Sequence, residues 1–167
     1  TYFADLSNPT SLKKVFDLSA NDSYKDPGRP IYEVKPNGER IMIQDGDWVY
    51  LTGRGSTDQG DRPFVDKFNL QTLQSERLFR SGENSLEQFS SFVKDSRSKI
   101  VTRYESKSEP PNYFVVDLQN NARVAVTEFK DPAPQLTGMK KDLVKYKRAD
   151  GVDLSGTLYL PPNYKQG

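Results

Sequence analysis

Three glycine turns constrain this chain more than anything else in it. Asn37-Gly38, Asp45-Gly46 and Asp150-Gly151 each lie between short runs in which apolar and polar residues alternate. Such pairs supply the positive φ angles of a tight hairpin turn, and period-two alternation on either side identifies the flanks as strands. Residues 31–34, 41–43 and 48–51 therefore form a meander, and residues 64–68 and 75–80 add a strand, a turn and a strand. Four strands over roughly 45–50 residues is the size of one propeller blade. Residues 100–105, 113–118 and 124–129 are the strands of a second unit, the last two joined around Asn120-Asn121. Residues 85–92 fit either a short helical turn or a strand. The expected fold is all-β: a partial β-propeller of two to three antiparallel four-stranded blades over residues 1–134, then a linker and a β-hairpin over residues 135–167.

The hairpin has its own signature. Residues 143–147 and 152–159 flank Ala149-Asp150-Gly151, and Pro161-Pro162 then removes the backbone donors that would prolong the second strand. Asp131-Pro132-Ala133-Pro134 is the expected linker between blades and hairpin. Residues 1–30 hold short apolar patches, Tyr2-Phe3 and Val15-Phe16, between polar turns.

Two absences limit the chemistry. The 167 residues contain no Cys and no His. A thiol nucleophile, a thiolate zinc site and a disulfide are excluded, and so is a Ser-His-Asp triad made from this sequence alone. No cofactor and no metal site is expected. Asp17, Asp22 and Asp26 lack the glycine and terminal Glu of a calcium loop, and Asn21-Asp22-Ser23 matters as a glycosylation sequon only in a secreted protein. The glycines of residues 53–60 suggest a phosphate-cradling loop, but Pro63 leads into a strand where such a loop must open a helix. With Lys plus Arg at 24 and Asp plus Glu at 23, the net charge of +1 offers no field for nucleic acid or an anionic membrane, and neither is an expected partner. Compartment stays open. A glycosidase working through two carboxylates has no motif to support it.

Residues 53–64, Gly-Arg-Gly-Ser-Thr-Asp-Gln-Gly-Asp-Arg-Pro-Phe, resemble a propeller segment of the glutamyl endopeptidase branch of the prolyl oligopeptidase family. Asp26-Pro27-Gly28-Arg29-Pro30, residues 102–106 (Thr-Arg-Tyr-Glu-Ser) and residues 110–114 (Pro-Pro-Asn-Tyr-Phe) resemble motifs of the same branch. The hairpin closed by residues 159–164, Tyr-Leu-Pro-Pro-Asn-Tyr, is similar to the opening strands of that family's α/β-hydrolase domain. The resemblance implies a propeller capping a hydrolase domain, with peptides reaching a Ser-Asp-His triad between them. It implies that the chain stops just after the hydrolase domain opens. No Gly-x-Ser-x-Gly pentapeptide occurs here, so no catalytic residue is assigned.

Binding residues are assigned on chemistry. Cleavage after Glu, which the branch name implies, calls for a cation at the acidic side chain, and the guanidinium fork matches a carboxylate. Arg54, Arg62 and Arg103 lie in or beside the family-like motifs, and Glu105 could anchor a substrate amine. Against these stand a structural ion pair of Arg62 with Asp58 or Asp61 and a solvated strand position for Glu105. The expected partners are a peptide substrate and the protein's own hydrolase domain. The alternative function is a non-catalytic propeller or sandwich binding module. An incomplete ring leaves open sheet edges, so the isolated chain is expected to be marginally stable or to self-associate.

Overall fold

The computed structural model describes residues 1–5, 7–162 and 164–165; Asn163 of the closing Leu-Pro-Pro-Asn-Tyr motif lies outside the described residues. The strands in chain order are β1 (Tyr2–Asp5), β2 (Asn8–Lys14), β3 (Arg29–Pro30), β4 (Tyr32–Val34), β5 (Arg40–Met42), β6 (Gln44–Asp45), β7 (Trp48–Gly53), β8 (Ser56–Thr57), β9 (Gly60–Asp61), β10 (Phe64–Asn69), β11 (Ser75–Arg80), β12 (Ser85–Phe92), β13 (Lys99–Ser106), β14 (Asn112–Asp117), β15 (Arg123–Ala125), β16 (Lys140–Lys147) and β17 (Asp153–Leu160). Among the described residues there is no α-helix, only a 3-10 turn at Pro134–Leu136 ahead of β16. The chain is all-β and every strand pairing is antiparallel.

The centre is a five-stranded sheet in the order β11-β10-β7-β3, with β6 also on β7. β3 and β6 lie end to end along the same edge of β7: Arg29 faces Thr52 and Pro30 faces Leu51, while Gln44 faces Val49 and Asp45 faces Trp48. They act as one edge strand, interrupted by an excursion. The meander expected over residues 31–51 is therefore only partly realised. β4 and β5 pair with each other and leave the sheet as a separate hairpin, whose neck closes where Ile43 N donates to Ile31 O at 2.9 Å. A proline at the start of this edge is tolerated because no ladder donor is lost there.

The second large sheet is a four-stranded meander, β12-β13-β14-β15. Residues 85–92, which fitted helix or strand, form the strand β12, with a bulge between Phe89 and Ser91. The strand expected over residues 124–129 pairs only at Arg123–Ala125. Beyond it, Tyr113 O accepts from Val126 N at 2.8 Å, and Asn112 accepts from Thr127 and Phe129.

Alternation along β7 explains how the layers stack. Val49 and Leu51 join Phe68 and Leu70 on one face, against Phe3, Val15 and Phe16 of the first segment. Tyr50 joins Val65, Ile31 and Ile43 on the other, against Phe89 and Phe92 of the four-stranded sheet. The apolar run Trp-Val-Tyr-Leu thus belongs to a strand covered on both faces. Val65 and Ile100 are wholly excluded from solvent, each removing a branched side chain from water at a gain of about 1.5–3 kcal/mol. The β16–β17 hairpin pairs in unbroken register from Lys140 with Leu160 to Lys147 with Asp153, as the sequence implied. Leu143, Val144, Tyr146, Leu158 and Tyr159 remain exposed, while Leu154 and Leu160 are half-buried.

Candidate functional site

Gly53, Phe64, Arg80, Ser85, Ser106 and Asn112 are strand ends paired across the two large sheets, so the family-like motifs collect at one end of the molecule. Two glycines fix this end. Gly28 has φ +87° and its α-carbon sits against Thr52, where a Cβ would come within 2.7 Å of the carbonyl oxygen. Gly55 has φ +58°, and a Cβ there would lie 2.2 Å from Arg62 O. Only glycine fits either position without rebuilding the backbone. Between Gly55 and Arg62 the chain makes the small β8–β9 hairpin, closed where Arg62 N donates to Gly55 O at 3.0 Å.

Arg54 spends Nε and Nη2 on one oxygen of Asp61, at 2.9 and 2.8 Å, while Ser56 Oγ donates to the other oxygen at 2.9 Å. The Arg54 side chain is otherwise open, 83% exposed. Arg62 does not pair with Asp58 or Asp61, as the structural alternative had it. Asp61 is already engaged by Arg54, and Arg62 instead reaches across to the β11–β12 connection, donating to Ser81 O at 3.1 Å and to Glu83 Oε1 at 3.2 Å. Arg62 is thereby a staple between the glycine-rich loop and the next sheet. Arg103 and Glu105 pair with each other, Nη2 to Oε2, at 3.0 Å. Both stand on the face of β13 opposite Thr102, which packs with Phe89 toward the five-stranded sheet. The four residues do not form one cluster.

Chemistry that sequence reading missed lies in the buried layer. The Glu87 carboxylate is buried, takes a hydrogen bond from Thr102 Oγ1 at 2.7 Å, and sits 3.2 Å from Arg123 Nη2. The Arg123 guanidinium lies over the rings of both Tyr104 and Phe114, at 4.5 and 4.3 Å. Reading residues 85–92 as a strand puts Glu87 on the same side as Phe89, a signal the helix-or-strand ambiguity obscured. At the opposite end, Arg97 lies between Glu33 and Asp45, and Tyr50 donates to Asp45 at 2.7 Å. Burial, reinforced by Asp45, pushes the Tyr50 phenol up to about 12, and a hydrogen bond from Lys35 holds Glu33 below the ordinary carboxylate range. Among the described residues no group of His, Asp or Glu side chains could hold a metal ion.

No family model matches the chain. Two curated proteins match it almost end to end. A probable chloroplastic glutamyl endopeptidase of Oryza sativa subsp. japonica is 34% identical over 168 residues, 92% of this chain, and its counterpart in Arabidopsis thaliana is 34% identical over 173 residues, 95% of this chain. Over nearly its whole length, this chain is similar to proteins named as probable glutamyl endopeptidases. It spans 18% of the length of either relative. Among solved structures, AtxE2 isopeptidase with astexin3-dC4 bound aligns at a TM-score of 0.46 with 14% identity, covering 78% of this chain and 21% of its own. The same isopeptidase without ligand aligns at 0.45 with 14% identity, covering 83% and 22%.

Proposed function

We propose that this glutamyl endopeptidase-like chain is the substrate-selecting part of a serine peptidase: consecutive blades of an incomplete propeller over residues 1–134, followed from residue 135 by the linker and first hairpin of a hydrolase domain. The observation that carries this reading is the 34% identity to named endopeptidases across 92% of the chain. Three successive antiparallel layers, β1–β2, the five-stranded sheet and the four-stranded sheet, pack face to face in chain order, which is how blades follow one another. The missing His agrees with a triad located elsewhere in the protein.

Within this reading the four chosen residues divide. Arg54 presents an open guanidinium from a loop at the motif-bearing end and is the one proposed to meet an acidic side chain of the substrate. Arg62 holds the loop in place through Ser81 and Glu83. Arg103 and Glu105 neutralise each other and serve to shape the surface.

The test uses the full-length protein, a peptide with a single Glu and its Gln counterpart. The reading expects cleavage after Glu only, abolished by a serine-directed inhibitor whose mass is found outside residues 1–167. Arg54→Ala is expected to raise KM for the Glu peptide by roughly three- to thirtyfold, the value of one charge-assisted contact at an exposed site. Absence of both cleavage and labelling would overturn the reading in favour of a binding module.

A further inference from the structure

A cavity of about 340 Å³ lies between the first segment and one face of the five-stranded sheet. Leu51, Phe64 and Phe68 form its apolar floor; Phe16 and residues 24–27 make one wall, and Gly55 and Ser56 of the glycine-rich loop another. The volume is that of a sphere about 9 Å across, near the lower end of the roughly 300–1,000 Å³ of ligand clefts. It admits one small molecule and not a length of peptide.

A bulge in the β10–β11 pair decides which charges this cavity carries. Positions 77 and 80 are three apart, and strict alternation would point them to opposite faces. The register shift between Val65 and Asp66 absorbs one residue of β11, so that Leu78 and Phe79 both pack on the opposite core. Arg77, across from Asp66, and Arg80, across from Phe64, are thereby both returned to the cavity side. Arg77 is committed there. It lies over the Phe64 ring at 4.4 Å and donates through Nε and Nη2 to Asp66, which also accepts from Ser75 at 3.1 Å. Arg80 is exposed, and among the described residues no carboxylate pairs with it. On the first-segment wall stands Asp26. One of its oxygens accepts from Gly28 N at 2.9 Å, which orients the side chain, and among the described residues no cation pairs with it. Its neighbour Lys25 leans instead toward Asp22, at 3.7 Å.

Leu73 adds apolar cover in a conformation that leucine disfavours. Its φ is +60°, in the left-handed region where a Cβ is strained. The turn holds it there: Leu73 N donates to Asn69 O at 2.9 Å, and Lys13 Nζ donates to Leu70 O and Gln71 O at 2.9 and 2.6 Å. Leucine at this position puts an apolar side chain on the cavity where glycine would leave a gap.

One unpaired cation, one unpaired anion and an apolar floor in so small a space match a zwitterion with an apolar body. A plain carboxylate would leave Asp26 unanswered, and a plain amine would leave Arg80 so. We propose that the cavity binds a single free α-amino acid with an apolar side chain, its carboxylate on Arg80, its ammonium on Asp26 and its side chain against Leu73 and the aromatic floor. This assignment is independent of the endopeptidase reading.

The test is isothermal titration calorimetry on the full-length protein, pretreated with a serine-directed inhibitor so that no probe is turned over. The probes are L-phenylalanine, L-phenylalaninamide, which lacks the carboxylate, and N-acetyl-L-phenylalanine, which lacks the ammonium. L-Phenylalanine is expected to bind, and each analogue to bind roughly three- to thirtyfold more weakly, the value of one charge-assisted contact. Arg80→Gln should weaken L-phenylalanine by a similar factor and leave L-phenylalaninamide unchanged, a pattern that a general loss of structure would not give. Leu73→Gly relieves the left-handed strain while opening the cavity, and should weaken binding about threefold or more without lowering the melting temperature. Arg54→Ala should leave binding unchanged. No binding of L-phenylalanine, equal binding of either analogue, or full-strength binding by both Arg80→Gln and Leu73→Gly would overturn the assignment.

Discussion

The five-stranded sheet and the β16–β17 hairpin are written in the same sequence language and end in opposite environments. Both have alternating strands and an Asp-Gly turn, yet Val65 and Leu51 are enclosed on opposite faces of the sheet while Leu143 is 65% and Tyr146 is 54% exposed on the hairpin. Val144, Tyr146, Leu154 and Leu158 share one hairpin face by register, and Lys141, Lys145 and Lys147 share the other. Alternation therefore dictates which side chains share a face. Whether that face is covered depends on what else folds beside it, and for the sheet the cover comes from Phe16 on one side and Phe89 on the other. Among the described residues the sheet is covered on both faces, and the hairpin is not.

The sharpest break in this contrast is a truncation made in both places. Leu51→Ala, at an enclosed site of the five-stranded sheet, is expected to cost about 2–5 kcal/mol, whereas Leu143→Ala should change stability by no more than about 0.5 kcal/mol; urea unfolding of each variant reads the difference. Next in size are two glycines. Gly55→Ala forces a Cβ to within 2.2 Å of Arg62 O at a φ of +58° and is expected to cost about 1–3 kcal/mol, while Gly156→Ala, with nothing within 4 Å in the hairpin, should be neutral or stabilising by thermal melting.

The smallest effect is one of pH. Tyr50 has its phenol raised from 10 to about 12, so the folded state keeps a proton that the unfolded chain gives up. This contribution is complete below pH 10 and is lost as pH climbs from there toward about 12. Wild type should lose more stability over that interval than Tyr50→Phe, which has no phenol to ionise. Parallel pH profiles of the two proteins would contradict the assignment.

Much of this fold was legible because turn chemistry is local. Asp150-Gly151 and the flanking alternation located the terminal hairpin, and the runs in residues 100–118 located β13 and β14. The split edge strand was not legible. Asn37-Gly38 marks a hairpin without revealing that its strands leave the sheet, because that depends on hydrogen bonds from Ile31 and Ile43 to distant partners. The site was less readable still. The alternative that paired Arg62 with Asp58 or Asp61 weighed only neighbours in sequence, while the observed partners, Ser81 and Glu83, lie 19 and 21 residues away. Arg97 carried no motif, since its position between Glu33 and Asp45 arises only when the hairpin folds back against the second sheet.

Hydrogen exchange on the full-length protein tests the central contrast most directly. On the proposed reading the faces of the hairpin are packed by the hydrolase domain, so the amides of β16 and β17 should exchange as slowly as those of β7 and β10. Protected amides in β7 and β10 beside freely exchanging ones in β16 and β17 would show a hairpin with no domain to join, and would contradict the account.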